Sequence, residues 1–291
     1  MQLSFAYSPC PNDIFCFAPL SKSWVPSAYS WQTTFLPIEE LNEGVLAGKF
    51  SLAKVSAALI PEIEETYIPL SVGGATGYGY GPRVIALSGP PLDLTQKWRV
   101  VVPGRHTTAF MLAKKLFPHW NFFCRSFATI PESIHNGEFD LGVIVHELYE
   151  YERAGLAVQV DLGTLWWELY QEPIPLGKLV LRKDCSSEIL KITNEIKASI
   201  EFSMKNKEML YKECRESSQE KDLHVIAQHI ERYVLQGGLE TTQLVPGQGG
   251  LETAQLAPGQ GGLETAQLVP GQGGLETAQL VPVKKGKYAK N

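Results

Sequence analysis

The stretch that most restricts the fold is Leu141-Gly142-Val143-Ile144-Val145, an apolar run with no polar alternation that ends abruptly in His146-Glu147. A short, β-branched run of this kind is the pattern of a buried strand in a parallel sheet, which helices cover on both faces. Asn136-Gly137 ahead of it closes a preceding helix, and the charged, Tyr-rich segment behind it opens another. In open α/β sheets, ligands sit just beyond the carboxyl ends of the strands. His146 therefore stands where a proton can be exchanged, although a histidine at a strand end can equally be structural.

A chain of 291 residues that is 44% hydrophobic supplies a sizeable core, enough for one large or two medium α/β domains. The net charge of −5 leaves no basic footprint, which predicts no nucleic-acid partner. No segment approaches the roughly 18 consecutive apolar residues of a membrane span, and the N-terminus lacks a basic region followed by a cleavable apolar one. A cytoplasmic protein without a membrane partner is the expectation. The five cysteines (Cys10, Cys16, Cys124, Cys185, Cys214) are scattered without metal-ligand spacing and read as reduced thiols, so no metal is expected.

Leu3–Tyr7 is a strand candidate running into Ser8-Pro9-Cys10-Pro11-Asn12-Asp13, where Asn12 or Asp13 can cap the following helix. A polar loop at a helix start suits an anionic ligand group; a Pro-stiffened, well-capped turn explains it equally well. Thr33–Leu36 is a further strand, and Ile38, Leu41, Val45 and Leu46 recur with helical spacing up to Gly48. Leu52–Val55 is a buried strand ending at Lys54-Val55-Ser56, where Ser56 is either a ligand contact or a bare N-cap. After Tyr67–Val72 comes a segment with five glycines, Gly73 to Gly81, which is neither a P-loop nor a dinucleotide fingerprint because it leads into the strand Arg83–Leu87. It reads as a flexible loop on the ligand side.

Trp98–Val102 starts a second series. Pro103-Gly104-Arg105-His106-Thr107-Thr108 turns into a helix from Ala109, offering N–H groups and two hydroxyls to a carboxylate or phosphate. Strands at Asn121–Ser126, Leu141–Val145 and Ala157–Leu162 follow, Pro173–Lys178 breaks the pattern, and Leu179–Arg182 returns as a strand. From Ser187 to about Leu235 the chain is amphipathic and helical. The architecture this predicts is α/β and two-lobed around a central cleft. The first lobe covers 1–92, the second 93–175, a mainly helical return to the first 176–235, and a repetitive tail 236–291. In the tail, a unit beginning Gly237-Gly238-Leu239-Glu240 recurs from Gly249, Gly261 and Gly273. Its Pro-Gly breaks, low charge and few bulky apolar groups read as disorder rather than a solenoid.

Ser8-Pro9-Cys10-Pro11-Asn12-Asp13, Lys54-Val55-Ser56, Pro103 to Ala109 and Val145-His146-Glu147 stand in this order, followed by Asp161-Leu162-Gly163, Trp166-Trp167 and Pro175-Leu176-Gly177. Together they resemble the 1,4-dihydroxy-6-naphthoate synthase family, late enzymes of the futalosine route to menaquinone, over about Met1 to Val234. The resemblance implies a periplasmic-binding-protein-like type II fold without export. It implies a carbon–carbon lyase that splits cyclic dehypoxanthinyl futalosine into 1,4-dihydroxy-6-naphthoate and dihydroxyacetone, with neither metal nor organic cofactor. It also makes His146 the proton acceptor and places Lys54, Val55, Ser56, Thr107 and Thr108 on the substrate. Ser8, Asn12 and Asp13 complete the expected substrate-binding set. The same shell could instead hold a small carboxylate without turning it over, and the repeats could serve assembly; the oligomeric state is not readable.

Overall fold

The computed structural model describes residues 1–145, 155–218, 220–236, 267–269 and 279–281. The first strand, β1 (Gln2–Tyr7), leads into α1 (Pro11–Ser21), β2 (Ser30–Phe35), α2 (Ile38–Leu46), β3 (Leu52–Ser56), a short 3-10 turn and α3 (Ile60–Ile63). Then come β4 (Tyr67–Pro69), β5 (Ala75–Gly77), β6 (Arg83–Leu87), β7 (Arg99–Val102), α4 (Thr108–Leu116), β8 (Asn121–Cys124), α5 (Ile130–His135) and β9 (Leu141–Ile144). The chain continues through β10 (Leu156–Asp161), α6 (Leu162–Tyr170), β11 (Ile174–Arg182), α7 (Ile189–Lys205), α8 (Lys207–Ser217), α9 (Leu223–Ile230) and a π-helical turn (Glu231–Gln236).

Two sheets result. One runs β2-β1-β3-β11-β4, with β5 also on β11; the other runs β10-β6-β9-β7-β8. Both are mixed. β9 pairs in parallel with β7 but antiparallel with β6, so its continuous apolar run reflects cover on both faces rather than an all-parallel sheet. β7 shows that cover directly. Val100 and Val102 pack with Leu112, Leu162 and Trp166, while Val101 faces the other way onto Ile130 and Ile134, as the two-residue strand period requires.

The first sheet is likewise covered twice. α1, buried from Pro11 to Leu20, lies between one face and the C-terminal helices, with Ile192, Ile196, Leu210 and Ile226 in a shared core. Ser199 on α7 donates to the Cys16 carbonyl at 2.7 Å, a close approach between the helices. Leu41 and Val45 of α2 cover the opposite face with Val55 and Val180.

Two segments fold differently from the sequence reading. Pro173–Lys178 does not break the pattern: β11 runs from Ile174 to Arg182 and takes up Pro175 with a register shift before Gly177, the irregularity at which a strand interior tolerates proline. The glycine-rich stretch is partly strand, since β5 pairs with β11. Sheet membership changes between β5 and β6 and again before β11, earlier than the lobe limits at 92 and 175. Of the repeats, the described residues are two Gln-Leu-Val copies, β12 (Gln267–Val269) and β13 (Gln279–Val281), which pair antiparallel.

Candidate functional site

At the carboxyl end of β1 the chain turns through Ser8 and two prolines into α1. Cys10 occupies the N-cap position in extended backbone and no side chain caps the helix. Asn12 and Asp13 are therefore not caps. Pro11, fixed at the first helical position, moves the helix start one residue ahead of Asn12. Both side chains then fall in the first turn and line a cavity. The anion at this helix start is the protein's own. Asp13 accepts from Ser8 Oγ at 2.7 Å, from Asn12 Nδ2 at 2.9 Å and from Lys54 Nζ at 2.9 Å, close to the positive end of the helix dipole.

β3 supplies the next residues by alternation. Lys54 and Ser56 line the cavity, and Lys54 also donates to the Gly73 carbonyl at 2.7 Å. Val55, one residue out of phase, points into the apolar core under α2. The structure thus brings two of the three predicted residues to the cavity and turns the third away. Ser56 stands at the N-cap of the 3-10 turn but makes no capping bond. Instead it meets Asn42, whose Oδ1 accepts from Ser56 N–H at 2.9 Å and whose Nδ2 donates to Ser56 Oγ at 3.1 Å.

The facing wall comes from the turn before α4. Thr107 is the N-cap, accepting from Phe110 N–H at 3.1 Å and donating to the Gly104 carbonyl at 2.8 Å. Thr108 Oγ1 donates to the Leu176 carbonyl at 2.9 Å and accepts from Ala58 N–H at 3.3 Å, stitching α4 to the first sheet. Both threonines line the cavity, but their hydroxyls already have partners inside the protein. His106 reaches across the cleft. Its Nδ1 lies 2.8 Å from Glu39 Oε1 on α2, and its N–H donates to the same carboxylate at 3.2 Å. Glu39 in turn accepts from Asn42 Nδ2 at 3.2 Å, so the contact between the walls connects to Ser56. Gly104 makes room for it: a Cβ there would stand 2.2 Å from Glu39 Cδ.

Val145, the residue after β9, lines the cavity, while His146 and Glu147 lie outside the described residues. Two lining residues, His229 and Tyr233, were absent from the sequence-derived set; they come from α9 and the turn after it. Burial, reinforced by Asp13, pushes the Cys10 thiol up to about 12, so it is no thiolate at neutral pH. Among the described residues no group of three His, Cys, Asp or Glu is placed to hold a metal ion, and no helix is long and apolar enough to cross a membrane. A mostly apolar cavity with a few convergent polar groups is what a small-molecule site requires.

A family profile described as menaquinone biosynthesis matches residues 3–249. The chain belongs to that family. Among its relatives, the 1,4-dihydroxy-6-naphthoate synthase of Thermus thermophilus is 34% identical over 234 residues, covering 80% of this chain and 85% of the relative. A crystal structure of an Archaeoglobus fulgidus protein superposes with a TM-score of 0.74 at 28% identity, covering 80% of this chain and 88% of that one. The periplasmic aliphatic sulphonate binding protein of Escherichia coli superposes with a TM-score of 0.58 at 12% identity, covering 80% and 83% of the two chains. That last likeness concerns the fold alone: two mixed sheets facing one cleft, as in periplasmic binding proteins.

Proposed function

We propose that this member of the family is a cytoplasmic carbon–carbon lyase, converting cyclic dehypoxanthinyl futalosine to 1,4-dihydroxy-6-naphthoate and dihydroxyacetone. His146 is its proton acceptor. The observation that carries the reading is the convergence of Val145, immediately before His146, with Ser8, Asn12, Lys54, Ser56 and Thr107 on one cavity between the sheets. Opening a fused sugar requires a base near neutral pH against a carbon-bound proton, and imidazole is the side chain whose ordinary pKa suits that task. Charge developing on the departing oxygen requires fixed donors in a dry site. Lys54 and the hydroxyl of Ser56 are the donors on the first wall, and the start of α4 is the donor on the second. Closure of the walls through Glu39 and His106 excludes water and orients the ring system.

Incubation of the full-length protein with the cyclic futalosine derivative tests this. The expected result is release of the dihydroxynaphthoate chromophore, with His146→Ala slower by about 10²–10⁴-fold, the usual contribution of a positioned acid or base. Saturable binding without product would instead establish a small-carboxylate binder, and unchanged turnover in His146→Ala would remove that residue from the mechanism.

A further inference from the structure

Among the described residues, four serine and threonine hydroxyls line the cavity, and three of them spend their hydrogens inside the protein. Ser8 donates to Asp13 at 2.7 Å, Thr107 to the Gly104 carbonyl at 2.8 Å and Thr108 to the Leu176 carbonyl at 2.9 Å. A hydroxyl carries one hydrogen, so these three can meet a ligand only as acceptors. Ser56 differs. Its Oγ accepts from Asn42 Nδ2 at 3.1 Å, and among the described residues nothing takes its own hydrogen. With Ser56 only 2% exposed, an O–H left without an acceptor is costly, and a bound ligand oxygen relieves that cost.

The amide of Asn42, fully buried, can stand only one way round. Its Oδ1 accepts from Ser56 N–H at 2.9 Å, and its Nδ2 donates to Glu39 Oε2 at 3.2 Å as well as to Ser56 Oγ. Turned over, an amide hydrogen would face a backbone N–H and an oxygen would face a carboxylate. Both Nδ2 hydrogens are thereby committed. We propose that Asn42 is a positioning residue for the reaction: by occupying Ser56 Oγ as an acceptor, it makes that hydroxyl a dedicated donor to a substrate oxygen on which negative charge builds. Asn42 is not among the residues lining the cavity, so it acts through Ser56. Glu39 ties the same amide to the facing wall, where His106 Nδ1 lies 2.8 Å from Oε1. The donor is therefore set as the walls meet. This assignment deepens the lyase reading and rests on it for the substrate.

The test is a double-mutant cycle on the full-length protein with cyclic dehypoxanthinyl futalosine, using Ser56→Ala, Asn42→Asp and the two combined. Aspartate keeps the shape of the side chain and the acceptor for Ser56 N–H. It replaces the amide donor with an oxygen, however, so the Ser56 hydroxyl turns back onto it and away from the substrate. Expected is a loss of kcat of about 10²-fold in each single variant, the usual cost of one such donor. The double variant should lie within about threefold of Ser56→Ala, because the amide has nothing left to aim. A merely structural Asn42 gives losses in kcat that multiply, and that result overturns the assignment. Either single variant within about threefold of wild type overturns it too. If Asn42→Asp does not fold, Asn42→Ala runs the same cycle. Should neither fold, the side-chain amide of Asn42 in the wild-type protein decides by NMR: protection of both hydrogens from solvent exchange supports the scheme, and rapid exchange refutes it. A wild type that forms no product removes the lyase reading and this assignment with it, whereas a productive wild type with multiplying losses sinks the assignment alone.

Discussion

Replacing Lys54 with methionine keeps most of its stem and deletes the ammonium that holds Asp13 at 2.9 Å, a pair in which both side chains are 4% exposed. Breaking a buried pair from one side leaves an uncompensated charge and costs about 3–5 kcal/mol. Asp13 would keep its donors Ser8 and Asn12 at 2.7 and 2.9 Å, which places the expectation at the lower end, about 3 kcal/mol. For a folded unit of this size that is a fall in Tm of about 6–12 °C. Urea unfolding followed by circular dichroism, with a thermal scan alongside, measures both. Adding Asp13→Asn removes the stranded charge and should recover about 1–2 kcal/mol, the non-additivity expected of two groups in contact. A Lys54→Met protein within about 1 kcal/mol of wild type, or a double variant showing the plain sum of two losses, would refute the account of this pair.

Gly104→Ala should push Glu39 away from His106 and weaken the cleft's grip on ligand by about tenfold or more, the loss of charge-assisted hydrogen bonds; calorimetric titration showing unchanged affinity would contradict it. Native Cys10, its thiol pushed up to about 12, should react with iodoacetamide at pH 8 far more slowly than the urea-unfolded thiol; equal rates by mass spectrometry would contradict the raised pKa. Burial, and then Lys54, lowers the pKa of Lys178, which has no ion-pair partner among the described residues. A lysine whose folded pKa is depressed costs stability at pH values below it, and the cost is relieved as pH rises from that lowered value toward the ordinary 10.5. Lys178→Met should therefore be more stable than wild type at pH 7, with the advantage shrinking as pH rises through the lowered pKa; a constant or widening gap in urea melts would refute it.

Much of the fold was legible because the β and α periods are strong where the core is built. The Val100–Val102 run and the Ile192–Ile196–Ile200 stripe each fix both an element and its buried face. The site was legible as turns rather than as side chains. Lys54-Val55-Ser56 reads as one motif, yet strand alternation sends Val55 into the core. Asn12 and Asp13 look like caps until Pro11 is recognised as the first helical residue. His229 carried a signal that went unread: it falls on the same helical face as Ile226, Ile230 and Tyr233, a polar residue within an apolar stripe. The approach of Glu39 to His106 had no sequence signal, because the two sit in separate sheet systems and meet only when the cleft forms.

That the cavity draws on both Ser8 and Tyr233 bears on how the molecule comes into being. Nearly the whole described chain separates the first contributor from the last, and the last arrives on a helix that packs against the earliest one. A nascent polypeptide that has passed Arg182 but not reached His229 holds the strands of both sheets and the forward half of the pocket, but its rear is missing. Premature termination between Arg182 and His229 would therefore leave both sheets but an open pocket without its rear wall.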